Sequence, residues 1–436
     1  MKENMKKFST LILLFSLLFT PASWAGDLNK EETAILAFID QNIDEQTEFL
    51  EKIVNVNSGT FNLEGVREVG RLFDKEFDKL GFETKWIDMP AEMGRAGHLQ
   101  AELKGNAGKR LLLMGHLDTV FPKNSPFQKT ERQGNRITGP GISDMKNGDV
   151  IILYALKALH AQGLLKDRQI AVFFTGDEEN TGQPLSISRK DVIDLSKRSD
   201  MAINFETGRQ NQAVIARRGS SSWSLEVKGK RAHSSGIFKP GSGAGAIFET
   251  ARILDRFYSQ IRGEHNLTFN PGTIAGGTFV NFDKDSAQWS SYGKTNVIAQ
   301  SATVKGDLRF ISEEQKERVR NKMRQVVANN LPRTSAEISF ADKYPSMPVT
   351  DGNKALLHVL NQTSLDLGYG AVQPNDPGSR GAADISFVAP HVASIDGLGS
   401  WGGKAHAPGE WMDIKGFRMA TKRAALFLYR LTREKD

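Results

Sequence analysis

Phe173-Phe174-Thr175-Gly176-Asp177-Glu178-Glu179-Asn180-Thr181-Gly182 decides the reading of this chain. The apolar run from Ile170 to Phe174 reads as a buried parallel strand. It delivers three consecutive carboxylates at a Gly-containing turn. Carboxylates crowded into a low-dielectric crevice repel one another and take up protons unless a cation compensates them. A solvated loop would carry the same triplet at no cost. The choice between the two therefore rests on what other short apolar runs bring to their ends.

Upstream, Arg110 to Met114 reads as a short apolar strand that ends at Gly115-His116-Leu117-Asp118. In an extended run, residues two apart project from one face, so His116 and Asp118 share a side. Gly139-Pro140-Gly141-Ile142-Ser143-Asp144-Met145-Lys146 follows, where glycine lets the backbone turn tightly. Asp144 precedes the apolar helix Val150 to Leu159, and its plain role there is a helix cap. Downstream, the strand Met201 to Phe205 ends in Glu206. Strand ends alternating with helices predict a mostly parallel sheet, which binds ligands outside the carboxyl ends of its strands. His116, Asp144, Glu178, Glu179 and Glu206 all fall at such ends. His406 lies in a loop without apolar periodicity. His160 sits near a helix end, and His98, His265, His358 and His391 have no acidic neighbours arranged for ligation.

The expected elements are a helix over 31–56, a helix over 63–80 and strands at 82–88 and 98–103. A second pattern begins at Gly219. Its expected elements are strands at 222–227, 266–274, 277–282 and 296–310, helices at 247–261 and 313–329, and a strand at 336–341. It reads as an inserted α+β unit over 217–342 between two parts of an α/β catalytic domain, 26–216 and 343–436. A strand at 391–395 and a helix at 414–433 close the chain.

The chain has 436 residues, a formal net charge of +6 and no cysteine. Thiolate metal sites and thiol nucleophiles are excluded, so a metal has only His, Asp and Glu to bind it. Residues 1–25 read as a cleaved secretory signal: Lys2, Lys6 and Lys7, an apolar run, then Pro21-Ala22-Ser23-Trp24-Ala25, with the cut after Ala25. A secreted or periplasmic protein without a stable membrane anchor is expected. Removing that segment takes away three Lys and one Glu and lowers the formal charge from +6 to +4. No basic-aromatic cluster points to nucleic acid. Ser143 lacks the Gly-x-Ser-x-Gly elbow of a serine hydrolase.

Together, Gly115-His116-Leu117-Asp118, Gly141-Ile142-Ser143-Asp144-Met145-Lys146, Asp177-Glu178-Glu179, Glu206 and His406-Ala407-Pro408-Gly409-Glu410 resemble one family. It is the aminoacylase/carboxypeptidase family of dinuclear zinc exopeptidases, with the closest look to its secreted glutamate carboxypeptidase branch. The resemblance covers about residues 35–430. It implies two Zn2+ per subunit, other divalent metals such as Co2+ being compatible. His116 and Glu206 would bind one ion, His406 and Glu179 the other, and Asp144 would bridge them. Asp118 would orient His116, and Glu178 would be the general base. The inserted segment would be a ferredoxin-like dimerisation lid of a homodimer. There His233 would reach the partner's site, and Asn296 and Arg309 would grip the substrate's carboxylate. The implied activity is hydrolysis of the amide bond next to a C-terminal amino acid, glutamate-like in the branch, of a small peptide or N-acyl amino acid. The competing readings are a dipeptidase or aminopeptidase on the same scaffold and a non-catalytic periplasmic metal-containing binding protein. Two departures stand out: Ser-Ser-Gly follows His233, and Gly399-Ser400-Trp401-Gly402-Gly403 sets a Trp near the metal site, where it would shape the pocket.

Overall fold

The structure is a computed structural model that describes residues 28–283 and 288–433. The expected signal segment, 1–25, lies outside the described residues. Among the described residues, no helix is long and apolar enough to cross a membrane.

A six-stranded sheet forms the centre, in the order Glu83–Ile87, His98–Leu103, Arg168–Thr175, Ala107–His116, Met201–Asn204, Ala393–Ile395. The last four run parallel to one another. His98–Leu103 is antiparallel to its neighbours on both sides. The four parallel strands therefore end along one edge, the position that open α/β sheets use for ligands. Their middle residues are continuous apolar runs because both faces are covered. Helix Asn147–Ala161 is buried nearly all round, with Val150, Ile151, Ile152 and Leu153 wholly inside. Each such side chain contributes about 1.5–3 kcal/mol by leaving water. Gly148 allows that approach: a Cβ there would stand 2.0 Å from the Phe205 carbonyl oxygen. The closing helix, Ile414–Leu431, packs against Asn147–Ala161 in the same core.

A second sheet is built from Thr268–Gly277, Ser301–Phe310, Gly219–Gly229 and Thr334–Asp342, in that order and wholly antiparallel. Helices Ala246–Ile261 and Glu313–Ala328 cover one of its faces around a separate core of Trp223, Leu225, Phe257, Val304 and Met323. The chain order βαββαβ with this strand order is the ferredoxin-like arrangement.

Several local expectations are corrected. The single helix over 31–56 is two, Lys30–Gln41 and Ile43–Val54. They break at Asn42, whose side-chain amide donates to the Phe38 carbonyl and competes with helix continuation. The strand expected from Asn296 begins at Ser301, because 294–300 turns to bridge Val297 with His233. Asp144 caps no helix: helix Asn147–Ala161 starts three residues later, after a non-helical Asp144 and Met145. A small sheet joining Arg136–Thr138 to Glu131–Gln133 and Trp411–Asp413, with Gly402–Gly403 beyond, carries no sequence signal of its own. It fastens the C-terminal loop to the Asp144 turn.

Candidate metal centre

Three of the four parallel strands each hand one part to the site. His116 is the last residue of its strand, and the acidic triplet follows Thr175, paired with His116 in register. Glu206 lies two residues beyond Asn204. Asp144 comes from the turn before the buried helix. His406 comes from the C-terminal loop, where its φ of 64° is a left-handed conformation uncommon for a residue with a Cβ. That turn directs the imidazole, the exposed member of the set, toward Asp144 and Glu179.

The geometry is two-sided. His116 Nε2 lies 3.3 Å from Asp144 Oδ1 and 3.5 Å from Glu206 Oε1. His406 Nε2 lies 3.0 Å from Asp144 Oδ2 and 3.2 Å from Glu179 Oε2. Asp144 thus turns one oxygen to each histidine. Four donors at zinc-like bond lengths on a tetrahedron are separated by about 3.4 Å. The observed separations fit two cation positions that share Asp144. The donor chemistry also fits, being nitrogen and oxygen throughout. Glu179 Oε1 is buried without a hydrogen-bond partner, as expected of an oxygen reserved for an ion. Glu178 also faces this space, within 4.8 Å of donor atoms of His116 and Glu206.

The electrostatics carry the same message. Burial alone would push His116 down, but Asp118, Asp144 and Glu206 around it hold it well above the usual imidazole range. His406 is raised to about 11 by its contacts with Asp144 and Glu179. Burial raises Glu179 to about 7. Burial also raises Glu178 far above the ordinary carboxyl, and the Glu206, Asp384 and Glu179 carboxylates add to it. Glu206 is raised by burial and by Asp144. Asp144 goes the other way: burial opposes its ionisation, but the two histidines win. Imidazolium protons here do the neutralising that cations would do.

The supporting residues are as specific. Asp118 holds His116 less by its carboxylate, with Oδ1 at 3.5 Å, than by its main-chain oxygen, 3.0 Å from Nδ1. Its carboxylate accepts from the amides of Glu178 and Glu179 and from the Thr60 hydroxyl. Sequence reasoning missed Glu410, although it lies in the quoted C-terminal block. It is buried and accepts from the amides of Gly141, Ser143 and Asp144, so it fixes the bridging residue. Asp177, the first of the triplet, belongs to the scaffold: fully buried Arg189 joins it at 2.5 Å and Asp384 at 2.8 Å. The ring of Trp401 packs over Gly416 at the start of the last helix.

His233, Asn296 and Arg309 are on the second sheet's unit. His233 and Asn296 are exposed and adjacent, linked through Ser234, whose amide donates to the Asn296 carbonyl. Arg309 is half-buried and paired with Asp307. Among the described residues, no hydrogen bond or ion pair joins these three to the cluster.

The sequence pattern described as peptidase family M20/M25/M40 matches residues 112–430, most of the chain. This chain belongs to that family. Carboxypeptidase G2 of a Pseudomonas species (strain RS-16) is 28% identical over 316 residues, 71% of this chain and 70% of that protein. The fold matches aminopeptidase PepT of Bacillus cereus with a TM-score of 0.72 at 18% identity, covering 89% of this chain and 99% of that one. It also matches YXEP of Bacillus subtilis, a dinuclear metal-binding peptidase of the M20 family. There the TM-score is 0.61 at 15% identity, covering 91% and 99% of the two chains. As an M20 protein the chain is a metallo-exopeptidase or amidohydrolase, and the match lends the binding-protein reading no support.

Proposed function

We propose that this M20 protein is a dinuclear zinc hydrolase that cleaves the amide bond preceding a C-terminal amino acid of small peptides or N-acyl amino acids. The observation that carries the reading is the division of Asp144, one oxygen toward His116 and Glu206, the other toward His406 and Glu179. When bound, a pair of divalent ions supplies an acidified water and polarises the scissile carbonyl. Glu178, beside a ligand but outside the bridging set, takes a proton at its carboxylate and hands it to the leaving amine. Burial raises its pKa above that of an ordinary carboxyl, the direction that favours holding a proton between the two transfers. Arg309 and Asn296 hold the substrate's free carboxylate by charge-assisted hydrogen bonds. That requirement makes the enzyme an exopeptidase. His233 donates to the oxygen that gains charge.

The active form is a homodimer through the second sheet. Thr268–Gly277 is an edge strand, and Ile274 on it, with Ile247 and Phe248 on the adjoining helix, is more than half exposed. An apolar edge of this kind is normally covered. The test is a panel of N-acyl amino acids and dipeptides with free and blocked termini, with and without chelator, alongside metal analysis. We expect chelator-sensitive release of the C-terminal residue and about two metal ions per chain. Glu178→Ala is expected to keep both ions while turnover falls by about 10²–10⁴-fold. Hydrolysis indifferent to chelator, or full turnover in Glu178→Ala, removes the mechanism.

A further inference from the structure

The two sheets are joined by a double crossing. Arg217 and Met347 exchange main-chain hydrogen bonds of 2.9 and 3.0 Å. The Ser220 amide donates to the Tyr344 carbonyl at 2.8 Å, and the Lys343 amide to the Ser220 carbonyl at 3.1 Å. The two connectors are therefore one ribbon, entering the second sheet at Gly219 and leaving it after Asp342. One side chain of this ribbon reaches the catalytic turn. The Tyr344 hydroxyl lies 2.9 Å from the Glu178 carbonyl oxygen and 2.8 Å from the Thr181 hydroxyl. A phenol has one proton. Donating it to the Glu178 carbonyl leaves the Tyr344 oxygen to accept from Thr181. The Tyr344 ring rests on Phe387 at 5.0 Å between centroids, and Phe387 in turn lies beneath the buried Arg189.

We infer that Tyr344 is a positioning residue: it clamps the Glu178 peptide to the ribbon between the two sheets, so that the base is placed relative to both. The amide of Glu178 is held by Asp118 from the central sheet, and its carbonyl by Tyr344 from the ribbon. Neither contact engages the Glu178 carboxylate, which stays free to move a proton. The second sheet's unit carries His233, Asn296 and Arg309, so the clamp ties the base to the body assigned to the substrate. This inference rests on the hydrolase reading above for its kinetic consequence, but not for its structural one.

Tyr344→Phe keeps the ring on Phe387 and removes only the hydroxyl. We expect kcat to fall about tenfold with KM within about twofold, the size of one lost positioning hydrogen bond. The melting temperature should fall by no more than about 2–4 °C, while amide exchange over 178–182 quickens and that of the central strands does not. Thr181→Val should act through the same network, so the double variant loses no more kcat than Tyr344→Phe alone. Unchanged kcat, additive losses in the double variant, or unchanged exchange at 178–182 would overturn the assignment. A wild-type protein that hydrolyses no amide would defeat the functional reading instead, and the exchange comparison would still decide whether the clamp exists.

Discussion

At the scale of single residues, the site is a set of carboxylates whose charges need an answer. Glu410 shows how that need is organised, since its carboxylate gathers three main-chain amides that would otherwise be buried without partners. Glu410→Ala should weaken divalent-metal affinity by about 10–100-fold, as measured by competition with a chelating dye, with Glu410→Gln losing less because one acceptor oxygen survives. Equal affinity in all three proteins would detach Glu410 from the metal site. Protons give a second handle. Glu179 and Glu410 are each raised to about 7 in the folded protein, above the ordinary 4.5. Between those values the folded state binds more protons than the unfolded one, so stability falls as pH rises. The raised His406 acts in the same direction, its contribution full below 6.5 and lost as pH climbs toward 11. Chelator-treated protein should therefore melt at progressively lower temperature from pH 5 to pH 8, and added divalent ions should restore more at pH 8. A metal-free melting temperature that rises over that range would contradict the crowding. Residue types at strand ends made His116, Glu178, Glu179 and Glu206 legible in the sequence. Glu410 stayed hidden because its partners are backbone amides some 270 positions away, which no side-chain pattern announces.

At the scale of elements, the acidic turn is rigid because its first carboxylate is spent on structure. Arg189 is fully enclosed and holds Asp177 and Asp384 together, while Asp177 also accepts from the Gly182 amide and the Ser188 hydroxyl. Arg189→Met would leave two buried carboxylates unanswered. The expected loss is about 3–5 kcal/mol, read as a lower denaturant midpoint, the usual cost of breaking a buried pair from one side. Asp177→Asn/Arg189→Met should recover part of it; a single variant as stable as wild type would show the bridge to be idle. The elements themselves were legible where one periodicity ran unbroken, as in the central strands and helix Asn147–Ala161. They were not legible where short-range hydrogen bonding overrides periodicity. Asn42 splits one amphipathic run in two, and 294–300 leaves the sheet to reach His233 despite strand-like composition. The small sheet that seats His406 was equally silent, being made of pieces two or three residues long.

At the scale of the whole molecule, the residues proposed to meet the substrate and the candidate metal centre occupy different bodies. His233 and Asn296 sit by the exposed apolar face of the second sheet's unit, next to Val297 and Ile298, which border a cleft of about 580 Å³ with Ile247 and Phe248. If that face meets its twin and His233 serves the other copy's site as proposed above, the two-fold axis makes the exchange mutual, because an isologous contact repeats every relation in both directions. Phe248→Glu should then yield monomers by light scattering and abolish turnover without touching the metal ligands. Complementation argues the point more sharply. Glu178→Ala and His233→Ala homodimers should each be nearly inactive. In the mixed dimer, the His233→Ala chain keeps its own Glu178 and receives His233 from its neighbour, which makes one complete site; the other site lacks both. Random re-pairing of equal amounts puts half the dimers in the mixed form, so about a quarter of wild-type turnover should return, provided the subunits exchange. Exchange is followed independently by labelling the two variants with a donor and an acceptor fluorophore. Full exchange with no recovered turnover would place His233 in the service of its own chain's site, and a fully active His233→Ala homodimer would remove it from catalysis.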